Sequence, residues 1–160
     1  MSDPALELRN INAGYGPFRA LFDVNVSVPQ GGAVALLGSN GAGKTTIARV
    51  ASGLIEPTSG SVVVAGEDLT GKRTYQFARA GVGHAPEGRS VFGTLTVEEN
   101  LTLSLRRKLG RSGLAEGLDH AFNIFPQLSK RRQQLAGTLS GGEQRMLSLA
   151  RPLEIGRAHV

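Results

Sequence analysis

The stretch Gly38-Ser39-Asn40-Gly41-Ala42-Gly43-Lys44-Thr45-Thr46 carries the densest chemistry in this chain. It satisfies G-x-x-x-x-G-K-[ST] in full. A triphosphate is strongly anionic and needs many donors at close range. Glycines at 38, 41 and 43 let backbone N–H groups converge on such an anion without Cβ clashes. A helix beginning near Lys44 would aim its positive end at the same oxygens. Lys44 supplies a cation for the β- and γ-phosphates. The Thr45 hydroxyl is suited to Mg²⁺, and Thr46 can add a donor to the α-phosphate. The ligands implied are ATP and Mg²⁺.

A second cluster lies a hundred residues on, in Leu139-Ser140-Gly141-Gly142-Glu143-Gln144. Ser140, Gly141 and Gly142 would open a helix, and their N–H groups with the Ser140 hydroxyl form another anion cradle. The same letters also read as a plain capping box, Ser140 to Glu143. The two roles can coexist.

These residues need elements to hold them. The alternation in LELRNIN (6–12) and LFDVNVSV (21–28) predicts half-buried strands, with Phe22, Val24, Val26 and Val28 on one face. AVALL (33–37) is continuously apolar and reads as a strand buried on both faces of a parallel sheet. It leads into the glycine loop, and a helix should follow to about Leu54. SVVVAG (61–66) predicts a strand, RTYQFARA (73–80) a short helix and GVGHA (81–85) a short strand. TVEENLTLSLRRKL (96–109) has a Thr N-cap, acids first and bases last, which complements a helix dipole. SGLAEGLDHAFNIF (112–125) predicts a second helix stopped by Pro126, and a third should start near residues 140–144. No internal repeat or low-complexity linker is visible. The fold class expected is α/β.

The bulk numbers agree with one soluble unit. The chain has 160 residues, 40% of them apolar, with 22 glycines and no Trp or Cys. That excludes a disulfide framework and thiolate metal sites. No apolar run is long enough to cross a bilayer, and MSDPALELRN lacks the apolar stretch of a secretory leader. The net charge of +5 comes from 18 Lys and Arg against 13 Asp and Glu. Its clusters, Arg106-Arg107-Lys108 and Lys130-Arg131-Arg132, read as solvated helix faces.

The glycine loop and LSGGEQ, in that order with helices between, resemble the ATP-binding subunits of ABC transporters. The resemblance runs from Met1 to about Leu153. It implies a P-loop NTPase core with N-terminal antiparallel strands and a helical subdomain, incomplete at the C-terminus. The nucleotide-binding domain would span 1–153, with a core at 1–93, a helical subdomain at about 94–139 and a signature helix at 140–153. Tyr15 matches the aromatic that stacks on adenine. Glu87, in APEGRSVF, stands where the family usually has the Q-loop Gln, and could ligate Mg²⁺ with Thr45. Leu139, Ser140, Gly141, Gly142 and Glu143 would close over ATP held by a partner subunit. TVEENL (96–101) resembles the place where the membrane subunit docks. The Glu variants at 87 and 143, with PEGRxVF and AGTLSGGEQ, resemble the F-type ATPase of branched-chain amino acid importers. The implied partners are permease subunits, a second ATPase subunit and a substrate-binding protein, with the protein cytoplasmic and peripheral on the inner face of the membrane. No nucleic acid is expected.

The family's Walker B Asp and Glu and its switch His have no counterpart in these 160 residues. His84, His120 and His159 all lie elsewhere, and His84 reads as structural. From Glu154 the text is EIGRAHV, which back-translates to a string resembling a sequencing adapter, so residues 154–160 are expected to be an artefact outside the function. The chain as it stands is expected to bind nucleotide weakly and not to hydrolyse it. AVALL is expected to present an open edge. The alternatives are a non-transport ABC protein acting on nucleic acid or the ribosome, and a non-catalytic nucleotide-binding fragment.

Overall fold

The computed structural model describes the backbone of residues 3–85 and 91–157, and their side chains except at 107, 108 and 153–157. The chain divides into two units, one ending at His84 and one beginning at Ala85.

The first unit is built on a four-stranded sheet of order β2-β1-β3-β4: β1 (Leu6–Tyr15), β2 (Phe18–Val28), β3 (Ser59–Val64) and β4 (Glu67–Asp68). All three pairings are antiparallel. β1 lies between β2 and β3 and buries Leu8, Ile11 and Ala13. That spacing is not a simple alternation, because the strand bulges. Leu8 faces Val26 but Ile11 faces Val24, so β1 spends one extra residue there. Asn10 absorbs it at φ 51, a conformation that Asn tolerates better than most residues.

A second bulge corrects the expected face of β2. Between the pairs Ile11–Val24 and Ala13–Leu21, β2 spends three residues against two. Asp23 takes φ 49 at that point. The side chains before it switch sides. Leu21 is 2% exposed and Phe22 is 64% exposed, while Val24, Val26 and Val28 remain half-buried. Asn12 ties the strands together: its Oδ1 accepts from Asp23 N and Arg19 Nη2, and its Nδ2 donates to Ser59 Oγ.

Helices α1 (Lys44–Ala51) and α2 (Thr74–Arg79) complete this unit. Val50 and Phe77 pack with Leu8, Ile11, Val62 and Leu69 in one core. Each such side chain contributes about 1.5–3 kcal/mol of burial. Two expected strands are not formed. Residues 33–37 carry no strand pairing, and Leu37 is 91% exposed. A doubly buried parallel strand needs neighbours on its edges, and among the described residues no strand lies beside it. Residues 82–85 are likewise unpaired. His84 instead meets Ser52 Oγ at 3.1 Å, behind the last turn of α1.

The second unit is helical: α3 (Val97–Leu109), α4 (Leu114–Ile124), α5 (Pro126–Ser129) and α6 (Gly141–Arg157). Thr96 caps α3. Its hydroxyl accepts from Glu99 N, and Glu99 Oε2 accepts from Thr96 N. Val97, Leu101 and Leu105, spaced for one helical face, pack with Leu118, Phe122 and Leu147. Pro126 does not simply end α4. It occupies the first turn of α5, where its missing N–H costs nothing. The basic cluster at 130–132 lies on a turn rather than a helix face. Two of its members are engaged: Arg131 pairs with Glu143, and Arg132 grips Glu98 through Nε and Nη2.

Candidate functional site

The loop at 38–43 runs into α1 as the sequence predicts. Gly41 and Gly43 have φ of 84 and 88, which a side chain would strain. Gly43 is also crowded. A Cβ there would stand 2.8 Å from Leu21 Cδ2 and 3.2 Å from Ala20 O, so the loop rests against β2 at that point. The Leu21 that the second bulge turns inward is thus what the loop rests on.

Lys44 reaches back over the loop. Its ammonium donates to the carbonyls of Gly38 at 2.8 Å and Ser39 at 2.6 Å. Thr45 is exposed on the first turn of α1, whereas Thr46 is buried. The Thr46 hydroxyl stands 3.4 Å from the phenol oxygen of Tyr15, at the end of β1. Arg49, one turn further along α1, donates from Nη1 to the same phenol oxygen at 3.1 Å. Its guanidinium carbon lies 5.9 Å from the ring centroid. The Thr46 hydrogen bond holds the Tyr15 phenol below its usual pKa. Burial acts against this, and the hydrogen bond and charge of Arg49 reinforce it. The ring itself is 45% exposed. The structure therefore gathers Tyr15, Gly38, Ser39, Gly43, Lys44 and Thr46 at one place. Asn40, Gly41 and Ala42 form the exposed crest of the loop.

Mg²⁺ is a hard cation that is held through oxygen, commonly by one or two protein ligands with substrate phosphates. Thr45 fits that chemistry, as an exposed hydroxyl on the turn that follows the loop. Glu87, the other expected ligand, lies outside the described residues. Among the described residues no group of three His, Cys, Asp or Glu side chains stands ready to hold a metal by itself.

The 139–143 segment is the entry to α6. Leu139 is buried and anchors it, while Ser140, Gly141 and Gly142 are exposed. The capping box is realised. Ser140 Oγ and N both donate to Glu143 Oε2, at 2.8 and 2.9 Å. Glu143 Oε1 takes Arg131 Nε at 2.6 Å. The bonds from Ser140 hold the Glu143 carboxyl below the usual range, aided by the Arg131 charge. A Cβ at Gly141 or Gly142 would meet nothing within 4 Å. These glycines are therefore not required by packing within the chain, and leave open space above the helix start.

Two side chains at these sites escaped the sequence reading. One is Arg49, whose only signal was its place three residues after Thr46 on one helical face. The other is Asn100, fully buried between Val97 and Leu101. Its Nδ2 donates to the carbonyls of Phe92 at 3.0 Å and Thr96 at 2.9 Å, and its Oδ1 accepts from Phe92 N at 2.9 Å. It clamps the chain that leads into α3. The polar letter inside an apolar stripe was the available signal.

Comparison with known proteins bears on this geometry. Residues 21–156 match the ABC transporter family. The chain belongs to that family. It is 40% identical over 148 residues to the high-affinity branched-chain amino acid transport ATP-binding protein BraG of Pseudomonas aeruginosa, covering 92% of this chain and 63% of that one. It is 35% identical over 150 residues to the probable branched-chain amino acid transport ATP-binding protein LivF of Archaeoglobus fulgidus, covering 94% and 63%. A sulfate/thiosulfate import ATP-binding protein, CysA of Pectobacterium atrosepticum, is 34% identical, with 93% and 46% covered. Among solved structures, an ATP-binding subunit of an ABC transporter superposes with a TM-score of 0.82 at 28% identity, over 94% of this chain and 62% of that one. A nucleotide-free ATP-binding cassette from an ABC transporter gives 0.77 at 27% identity, over 95% and 65%. The fold is therefore the α/β fold of ABC ATPase cassettes. The chain spans about 63% of the length of the BraG and LivF relatives.

Proposed function

We propose that this ABC family chain is the nucleotide-binding part of a transporter ATPase subunit, and that the transported class is branched-chain amino acids. The observation that carries the first half is the arrangement at Lys44. A cation, a glycine loop, a helix start and a tyrosine ring are brought to one place on the first unit. The names of the relatives support the second half. Sulfate importers among the matches show that the motifs alone do not set the substrate.

In this reading Gly38 to Gly43 wrap the phosphates, Lys44 neutralises the β- and γ-phosphates, and Thr46 reaches the α-phosphate. Tyr15 offers its ring to the base. Thr45 and Glu87 hold Mg²⁺, which when bound offsets phosphate charge. Ser140, Gly141 and Gly142 cover a nucleotide on a second ATPase subunit. The start of α3 receives a permease, and a substrate-binding protein delivers the cargo. The protein works on the cytoplasmic face of the membrane. No helix of the described residues is long and apolar enough to cross it. The nucleotide-binding core is 1–93, the helical part about 94–139, and the signature helix 140–153, with 154–160 outside the function. In this reading these 160 residues bind ATP weakly and do not turn it over.

Calorimetric titration of the 160-residue chain with ATP and Mg²⁺ tests the site. Lys44→Ala should weaken binding by at least about tenfold, as loss of a charge-assisted contact would. Unchanged affinity in that variant, or ATP turnover by the parent chain, would defeat the reading. The substrate class is tested by a chimera in which residues 1–153 replace the matching part of BraG. Leucine uptake by the chimera is expected. An assembled chimera that carries no leucine counts against it.

A further inference from the structure

We infer that Arg49 is a positioning residue for the nucleotide base, acting by locking the Tyr15 ring in place rather than by touching the ligand. The inference rests on the reading of Tyr15 and residues 38–46 as a nucleotide site.

Tyr15 is the last residue of β1, next to the turn at Gly16 and Pro17. A half-exposed ring at a hairpin end is free to swing about χ1 unless its far end is fixed. Here the far end is fixed twice, and from one element. Thr46 and Arg49 sit three residues apart on α1, and so share a face. The phenol oxygen lies between them, 3.4 Å from the Thr46 hydroxyl and 3.1 Å from Arg49 Nη1. The Arg49 guanidinium carbon also lies over the ring, 5.9 Å from its centroid, a cation–π contact on one face. A cation held over one face leaves the opposite face for stacking.

The phosphate loop has its own cation in Lys44, aimed at the Gly38 and Ser39 carbonyls. Arg49 Nη1 donates to the phenol instead. The lowered pKa of Tyr15 follows from its hydrogen bond with Thr46 first and from Arg49 after it. Fixing the ring before the base arrives removes part of the ordering cost of binding. It also joins the base platform to the helix whose first turn presents the phosphate donors, so that the two halves of a nucleotide meet one rigid piece.

The test separates base from phosphate. ATP and inorganic triphosphate, each with Mg²⁺, are titrated into the 160-residue chain and into Arg49→Ala. Loss of one hydrogen bond and a cation–π contact should weaken ATP by roughly three- to tenfold. Triphosphate, which has no base, should keep its affinity. Arg49→Lys should recover part of the loss, and in a Tyr15→Ala background Arg49→Ala should change nothing further. Arg49→Met keeps the aliphatic stem and replaces the alanine variant if circular dichroism shows that one to be unfolded. Equal weakening of both ligands, no weakening of ATP, or an undiminished effect without Tyr15 each overturns the inference and leaves the nucleotide site intact. A parent chain that binds triphosphate as tightly as ATP removes the role of Tyr15, and the inference with it. A parent chain that binds neither removes the nucleotide site itself.

Discussion

Replacing Asn100 should unfasten the chain that enters the helical unit. The side chain is fully buried and makes three hydrogen bonds of 3.0 Å or less, two to Phe92 and one to Thr96. Two of the groups it serves have other partners. Phe92 O also accepts from Leu95 N, and Thr96 O from Asn100 N. Phe92 N is the group that an alanine at 100 strands. Three bonds at about 1 kcal/mol each place Asn100→Ala near 3 kcal/mol of destabilisation. Asn100→Asp is the sharper test. Its oxygen could still accept from Phe92 N, but an ionised carboxylate would face the Phe92 and Thr96 carbonyls with no proton to give. Its folded pKa would therefore rise above the ordinary aspartate value of about 3.9. A raised carboxyl pKa costs stability above that pKa and costs nothing below the unfolded value. The gap between Asn100→Asp and the parent should thus be widest at pH 7 and narrow as the pH falls towards about 4. Urea unfolding followed at 222 nm reads this, since most helix belongs to the second unit. A gap that does not change with pH, or an aspartate variant as stable as the parent at pH 7, refutes the reasoning.

Three further outcomes are expected. Leu21→Ala should cost about 2–5 kcal/mol while Phe22→Ala stays within about 0.5, because the bulge at Asp23 turns the first inward and the second outward; urea midpoints compare them directly. Gly43→Ala should destabilise the chain by about 1–3 kcal/mol, from φ 88 and a Cβ 2.8 Å from Leu21 Cδ2, and the Gly43→Ala loss should shrink when Leu21 is also alanine. Glu143 has its folded pKa lowered by Ser140 and Arg131, so its share of stability is present at neutral pH and is lost as the pH falls through the lowered value. Glu143→Gln should therefore flatten the fall in melting temperature on acidification, and an unaltered acid slope would count against this.

Much of the site could be read from the letters because its residue types are set by local backbone chemistry. The glycines at 41 and 43, the lysine after them and the Ser140–Glu143 box all act within a few residues of themselves. The same holds for the Thr96 cap and the helix that it starts. What failed to show depended on distant partners. A period-two reading of 21–28 could not see the extra residue at Asp23, because a bulge is defined by the opposing strand. The strand expected at 33–37 was read from hydropathy, but pairing needs a neighbour, and none lies beside it among the described residues. Arg49 and Asn100 had no role legible in the sequence, because each acts through a partner distant in the chain or set by its fold, Tyr15 for the first and Phe92 for the second.

On the proposed nucleotide reading, the ammonium of Lys44 has a consequence for which anions the loop would accept. It is bound to two carbonyls of its own loop. An incoming anion must therefore win an exchange, returning at least as much to the ammonium as the carbonyls gave. A polyphosphate brings several oxygens along the whole loop, and the backbone amides add to the trade. A lone orthophosphate brings one tetrahedral group and disturbs the same two contacts. On that reading the loop would set a threshold against the small anions that crowd any cell, using only the lysine that also serves the polyphosphate.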